Sequence, residues 1–132
     1  MLNKAVILVV EDHPLIMLGT LELVSNAGYE AIAAENADIA IGILEARPDI
    51  SLVLTDVEMP GSMDGLKLAH YVRNRWPPIH LMIVSGRAAL DATSLPSNTK
   101  FFPKPYTDTK IIEELTRLLA VPVPLASEIK VL

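Results

Sequence analysis

Five polar residues at the ends of short apolar segments carry the groups needed to place a phosphoryl group on a carboxylate: Glu11, Asp12, Asp56, Ser85 and Lys104. Carboxylates held close together raise one another's pKa unless a cation neutralises them. An all-oxygen site that is partly open to water favours a hard ion, typically Mg²⁺ that keeps several waters. A carboxylate beside such an ion can attack phosphorus, while a hydroxyl and an ammonium hydrogen-bond and neutralise the phosphoryl oxygens.

Each of these residues also has an ordinary structural interpretation. Glu11 and Asp12 could cap a helix, because acidic side chains accept hydrogen bonds from the first backbone N–H groups. Ser85 could belong to a simple turn and Lys104 to a loop. The functional interpretation is favoured because four apolar segments end in groups that serve one reaction.

The apolar segments predict five short strands, at residues 5–10, 30–34, 51–55, 79–84 and 100–102. Residues 6–10, 52–54 and 81–84 are continuously apolar, which is typical of strands buried on both faces of a parallel sheet. Segments with helical spacing alternate with these strands. The pattern predicts an α/β fold, a (βα)₅ chain with an open, doubly wound parallel sheet of five strands. Ligands of such sheets bind at the carboxyl ends of the strands, where the five polar residues would converge.

Cap and turn residues locate the helices. The first helix is expected over about 14–27, the second after Asn36, the third from near Asp64, and the last after Thr107 and Asp108 to about residue 120. Between residues 85 and 100 we expect a short or absent helix, because residues 95–99 are typical of a loop. The inward stripe of the first helix is predicted at these positions: Ile16, Thr20, Leu23 and Ala27.

Composition restricts the class of protein. The 132 residues are 51% hydrophobic and 20% charged, which is typical of one globular domain, expected over 1–120 with a tail over 121–132 and no output domain. A net charge of −5, without a Lys/Arg cluster, argues against nucleic-acid binding. No apolar run approaches the ~20 residues of a membrane span. The absence of cysteine excludes disulfides and fits a cytoplasmic protein.

Several short motifs, in order, resemble the receiver domain of two-component response regulators, the CheY-like family. They are the acidic pair within Val-Val-Glu-Asp-His-Pro at 9–14, Leu-Thr-Asp-Val-Glu-Met-Pro at 54–60, Met-Asp-Gly at 63–65, Val-Ser-Gly at 84–86 and Phe-Phe-Pro-Lys-Pro-Tyr at 101–106. The resemblance covers roughly residues 4–119. It implies the flavodoxin-like strand order 2-1-3-4-5, a Mg²⁺ cofactor and a phosphorylation-dependent signalling switch.

The resemblance also implies roles for individual residues. Asp56 would be the phosphoacceptor, Glu11 and Asp12 the acidic pair with Asp12 as a direct metal ligand, and the Glu58 backbone carbonyl would complete the protein's share of the Mg²⁺ shell. A second set would bind the phosphoryl group and change conformation: Ser85 as switch hydroxyl, Lys104 as phosphate-contacting lysine, Phe101 as switch aromatic, and Pro105 after a cis peptide bond.

Two further positions could tune the loss of the phosphoryl group to water. Glu58 lies two residues beyond the acceptor and Arg87 two residues beyond the switch hydroxyl; a surface ion pair is the other interpretation of the two. The chain departs from the common family pattern in the loop over 61–65, which is one residue longer, and in the spacing of 19 positions (104 − 85) between Ser85 and Lys104.

The resemblance implies a histidine kinase or a phosphotransfer protein as donor and another protein as downstream target. Excess apolar residues in the first two helices favour a protein contact, with a homodimer as one form of it. Two other functions remain open. A haloacid-dehalogenase-type phosphatase also uses a strand-end Asp and Mg²⁺, although it would need Asp at position 58. A receiver-like module that is never phosphorylated would serve only for interaction.

Overall fold

A computed structural model of the chain describes residues 4–59, 61, 63–86 and 92–120. Strands and helices alternate as the apolar pattern predicts, in this order: β1 (Val6–Val10), α1 (Pro14–Asn26), β2 (Glu30–Ala34), α2 (Ala37–Ala46), β3 (Ile50–Asp56), α3 (Gly65–Arg75), β4 (His80–Ser85), a 3₁₀ turn (Ala92–Ser94), β5 (Thr99–Pro103) and α4 (Asp108–Leu119). Within the described ranges, no helix has the length and apolar character needed to cross a membrane.

The five strands form one parallel sheet in the order β2-β1-β3-β4-β5, which confirms the predicted topology. The register brings the carboxyl ends of the strands to one edge. Val10 pairs with Thr55, Asp56 with Val84, and Ser85 with Pro103. The polar residues that end β1, β3, β4 and β5 therefore lie along the same edge of the sheet.

Side chains alternate between the two faces of the sheet and build two buried clusters. On β1, Leu8 and Val10 pack in the cluster that includes α2 and α3, whereas Ile7 and Val9 pack in the cluster that includes α1 and α4. Both faces are covered by helices, which explains the continuously apolar strands. Three residues of α3 are fully buried in the cluster that it shares with α2: Leu68, Ala69 and Val72.

Cap residues begin the helices where the sequence predicts. The Asn36 side chain accepts a hydrogen bond from Ile39 N at 2.8 Å, and the Asp64 side chain accepts one from Lys67 N at 2.9 Å. Each satisfies an N–H group that has no partner within the helix. Gly28 follows α1 with a φ of 100°, a conformation that favours glycine and ends the helix.

The inward stripe predicted for α1 is partly wrong. Within α1 the buried residue is Val24, and Met17 and Leu21 pack beside it at helical spacing. Ile16, which the prediction placed inside, is 39% exposed, although Leu23 does pack against the same cluster. The spacing could not identify the inward face because α1 carries apolar side chains on more than one side.

Arg73 of α3 fastens the connections on either side of β4. Its guanidinium donates hydrogen bonds to four backbone carbonyls, at distances of 2.8 to 3.2 Å: those of Pro77, Ile79, Ser97 and Asn98. His70, one turn earlier, hydrogen-bonds the Ser94 carbonyl at 2.7 Å through Nε2. In the described part of the β4–β5 connection, the helical structure is the single 3₁₀ turn, so side chains of α3 satisfy carbonyls that a regular helix would satisfy itself.

We expect Arg73→Ala to lower the free energy of unfolding by about 1–3 kcal/mol, because four backbone carbonyls, of which that of Ile79 is partly buried, lose a charged donor. Arg73→Lys keeps the charge but cannot reach four acceptors, so it should recover only part of this loss. Urea unfolding measures both. The matched control is Lys67→Ala, an exposed basic side chain on the same helix, which should change stability by no more than about 0.5 kcal/mol. Equal effects of the Arg73 and Lys67 substitutions would contradict the role given to Arg73.

Candidate functional site

The backbone around Asp56 is held from three sides. Val57 N donates to Val84 O of β4 at 3.0 Å, and the Thr55 hydroxyl donates to Asp56 O at 2.9 Å. Gly65 N, at the start of α3, donates to Val57 O at 3.0 Å. The end of β3 is therefore tied both to its neighbouring strand and to the following helix.

The Asp56 carboxylate is 4% exposed and has a donor on each oxygen. Oδ1 accepts a hydrogen bond from Glu58 N at 3.1 Å, and Oδ2 lies 2.5 Å from Lys104 Nζ. Burial alone would lower the pKa of Lys104, but the hydrogen bond and charge of Asp56 raise it above its ordinary value. Lys104 is therefore a full ammonium at neutral pH, paired with the carboxylate that ends β3.

The two acidic residues after β1 differ in their exposure to solvent. Glu11 is 5% exposed and accepts a hydrogen bond from His13 N at 3.0 Å, whereas Asp12 is exposed. Burial raises the pKa of Glu11 to about 7; the His13 hydrogen bond opposes this, and the negative charge of Asp56 adds to it. A cation bound nearby would favour the charged form of this buried acid and offset its repulsion with the second carboxylate.

The side chains do not already form a three-carboxylate cage. Among the described residues, no three Asp, Glu, Cys or His side chains are placed so that together they could hold a metal ion. The assignment of Glu11, Asp12 and Asp56 to one ion stays a prediction. The donor set still suits Mg²⁺, because that ion commonly takes one or two carboxylates and completes its shell with other oxygens and water.

Ser85 is fully buried at the end of β4, and its hydroxyl donates to Oε2 of Glu58 at 2.5 Å. The other oxygen of the same carboxylate, Oε1, accepts a hydrogen bond from Gly86 N at 3.1 Å. The Ser85 carbonyl accepts from Lys104 N at 2.8 Å, which joins the ends of β4 and β5. The structure therefore brings the predicted hydroxyl, ammonium and acceptor carboxylate to one edge of the sheet.

The remaining predicted positions lie near this edge or outside the described residues. The Lys104–Pro105 peptide bond is cis. Phe101 is partly buried and packs against the cluster that includes α2 and α3. Arg87, predicted as a tuning residue, lies outside the described residues.

Sequence reasoning quoted Gly65 within a motif but missed why glycine is required there. A Cβ built on Gly65 would lie 1.8 Å from Asp56 O and 2.9 Å from the Thr55 hydroxyl oxygen. The first turn of α3 therefore rests directly on the backbone of Asp56. The hydrogen bond between the Glu58 carboxylate and the Ser85 hydroxyl was also missed. The two residues are 27 positions apart, and the sequence shows no signal for the contact.

Gly65→Ala should therefore destabilise the protein by about 1–3 kcal/mol, as forced overpacking does, and should displace the Asp56 backbone. The matched control is Gly42→Ala in α2, where an added Cβ meets nothing within 4 Å. That substitution should stabilise by about 0.5–1 kcal/mol, because alanine is the better helix former. Thermal unfolding and the amide NMR signals of residues 55–58 measure both variants. A Gly65→Ala protein as stable as the control would contradict the packing argument.

Comparisons with known proteins agree with this geometry. The sequence profile of the response regulator receiver domain matches residues 7–116. The response regulator receiver protein CpdR of Brucella abortus is 29% identical over 116 residues, which are 86% of this chain and 95% of CpdR. The response regulator protein FleR of Pseudomonas aeruginosa is 34% identical over 87 residues, and the match spans 66% of this chain but only 18% of FleR.

Solved structures match over most of the chain. A response regulator receiver protein from Sinorhizobium medicae has 27% identity and a TM-score of 0.83, with 90% of this chain and 97% of that one covered. Response regulator protein TrrA from Thermotoga maritima, solved in complex with Mg²⁺–BeF, has 26% identity and a TM-score of 0.77, with coverage of 88% and 100%. The chain therefore belongs to the response regulator receiver domain family, whose members are phosphorylation-dependent signalling switches.

Proposed function

We propose that the chain accepts a phosphoryl group on Asp56 from a histidine kinase or a phosphotransfer protein, and transmits its state by binding another protein. The observation that carries this proposal is the pair formed by Asp56 Oδ2 and Lys104 Nζ at 2.5 Å, beside the buried hydroxyl of Ser85. The pair places a nucleophilic carboxylate next to a fixed positive charge at the edge where parallel sheets bind ligands.

The reaction needs one bond formed and one broken. An Asp56 carboxylate oxygen bonds to phosphorus as the phosphorus–nitrogen bond of a donor phosphohistidine breaks, and the released imidazole nitrogen takes up a proton. Lys104 then pairs with the phosphoryl oxygens instead of the bare carboxylate. Fixed charge and hydrogen-bond donors at the point where negative charge develops are the main source of such rate enhancement.

Glu11, Asp12 and the Glu58 backbone carbonyl would hold Mg²⁺ next to the acceptor. The buried Glu11 with its raised pKa supports this assignment, because a bound cation would favour its charged form. When bound, the ion supplies positive charge that neutralises the transferring phosphoryl group. The chain's own residues orient the acceptor and hold the charges around it.

The exposed apolar side chains at the start of α1 support a protein partner. Leu15 is 74% exposed and Leu18 57%, on a helix that begins two residues after the acidic pair. Large side chains of this type are seldom clustered on a surface without a contact to make. If the contact is a homodimer through this face, sedimentation should show a dimer for wild type and a monomer for Leu18→Ser.

The central test is covalent labelling. With Mg²⁺ and acetyl phosphate, wild type should gain one phosphoryl group that is labile to hydroxylamine, and Asp56→Asn should gain none. Intact-mass spectrometry measures the adduct, and Asp49→Asn, an exposed acid at the opposite end of β3, is the matched control. Rapid multiple turnover of a phosphomonoester would instead support a phosphatase, and no adduct from any donor would support an interaction module.

Lys104→Ala should keep Mg²⁺ affinity at or above the wild-type value, because no ligand is lost and a positive charge is removed. Labelling should slow by about 10²-fold, the scale of losing one charged donor to the developing phosphoryl charge. The NMR signals of the Phe101 ring should no longer respond to the adduct. A normal Phe101 response in this variant would contradict the switch role of Lys104, and Lys110→Ala controls for loss of a basic residue nearby.

A further inference from the structure

We propose that in the unphosphorylated protein the Glu58 carboxylate occupies the anion position that a phosphoryl group on Asp56 would take, so that phosphorylation must displace it. The inference rests on the proposed function, since it concerns the regulation of the same site. It gives the side chain of Glu58 a role separate from that of its backbone carbonyl, and one that acts before the phosphoryl group arrives.

The contacts of Glu58 are those that a bound phosphoryl group would need. Its carboxylate accepts hydrogen bonds from the Ser85 hydroxyl at 2.5 Å and from Gly86 N at 3.1 Å. One donor is a side-chain hydroxyl and the other a backbone amide, and both end the strand next to the acceptor. Such a pair of converging donors is the arrangement that binds tetrahedral anions in proteins.

The two hydrogen-bond donors are fixed, whereas Glu58, which accepts from them, can move. Ser85 is fully buried and paired with Pro103 of β5, while Val84 is paired with Asp56. The strand ends therefore cannot retreat without breaking the sheet. Glu58 lies beyond the end of β3 on a long side chain with several rotatable bonds, so it can move without disturbing the sheet.

Glu58 connects the Asp56 carboxylate to the end of β4. Its backbone N–H is bonded to Asp56 Oδ1 at 3.1 Å, while its carboxylate reaches the end of β4. The second half of the anion position, Lys104, is meanwhile paired with Asp56 Oδ2. An incoming phosphoryl group thus finds each of these donors already engaged by a carboxylate of the protein.

Displacement predicts that the apparent affinity for a phosphoryl mimic equals the intrinsic affinity multiplied by the fraction of molecules in which Glu58 has released the donors. Beryllium fluoride with Mg²⁺ is the probe, titrated by NMR into the full chain. Glu58→Ala should bind it about 10-fold more tightly than wild type, the size of one net charge-assisted hydrogen bond.

Glu58→Asp separates displacement from simple charge repulsion. Asp keeps the negative charge but is one methylene shorter, so it should not bridge to Ser85 and Gly86. If displacement holds, Glu58→Asp gains affinity like Glu58→Ala, and Glu58→Gln, which keeps the reach with a weaker acceptor, gains less. If Glu58→Asp binds like wild type while the Ala and Gln variants gain equally, the effect is only charge and the proposal is overturned.

A readout without any ligand gives an independent check. The Gly86 amide should shift and exchange faster with solvent in Glu58→Ala and Glu58→Asp than in wild type, because its acceptor is gone. Unchanged Gly86 exchange in both folded variants would also overturn the proposal. If wild type binds beryllium fluoride through Asp56 but the Glu58 variants match its affinity, only this inference fails; if Asp56→Asn binds as well as wild type, the proposed function fails with it.

Discussion

The site depends on one ion pair, between Asp56 at the end of β3 and Lys104 just after β5. The two strands are not neighbours, since β4 lies between them, so the pair can form only if three parallel strands end at the same height. The backbone register supplies that alignment, and the Lys104 N–H bond to the Ser85 carbonyl extends it past β5. A carboxylate this buried also requires a charged partner, because desolvating it without one is costly.

Around this pair, the polar groups at the edge of the sheet satisfy one another. Lys104 pairs with the Asp56 carboxylate. The Ser85 hydroxyl donates a hydrogen bond to Glu58, and the His13 N–H donates one to Glu11. A group that binds at this edge must therefore replace existing hydrogen-bond and ion-pair partners. Exchange between two satisfied arrangements is what a two-state switch requires, because each state is stable and the intermediate is not.

The sequence was most informative about strands that are buried on both faces of the sheet. It was least informative about contacts between side chains of different elements. Continuously apolar strands and local cap residues predicted the sheet and most helix starts, because those signals are local and repeated. The strand order was implied by the resemblance of the short motifs to receiver domains. The inward face of α1 was misjudged, since apolar residues on several sides leave its spacing ambiguous. The hydrogen bond from Ser85 to Glu58 and the bonds from Arg73 to residues 97 and 98 join distant parts of the chain, so no local pattern could show them. The packing of Gly65 on the Asp56 backbone depends on how α3 is placed against the end of β3, which no sequence pattern shows. The roles assigned to the site residues remain predictions.

Two of these contacts lie in α3, which links the backbone of Asp56 to the carbonyls on both sides of β4. Its first residue packs on the backbone of Asp56, where only glycine fits, and Arg73 near its last turn holds carbonyls on both sides of β4. In the described part of the β4–β5 connection, the carbonyls of Ser97 and Asn98 must find donors, and guanidinium is the side chain with enough N–H groups to serve these two and two more before β4. Any movement that phosphorylation imposes at the end of β3 is thus applied to a helix whose other end is anchored in the β4–β5 connection.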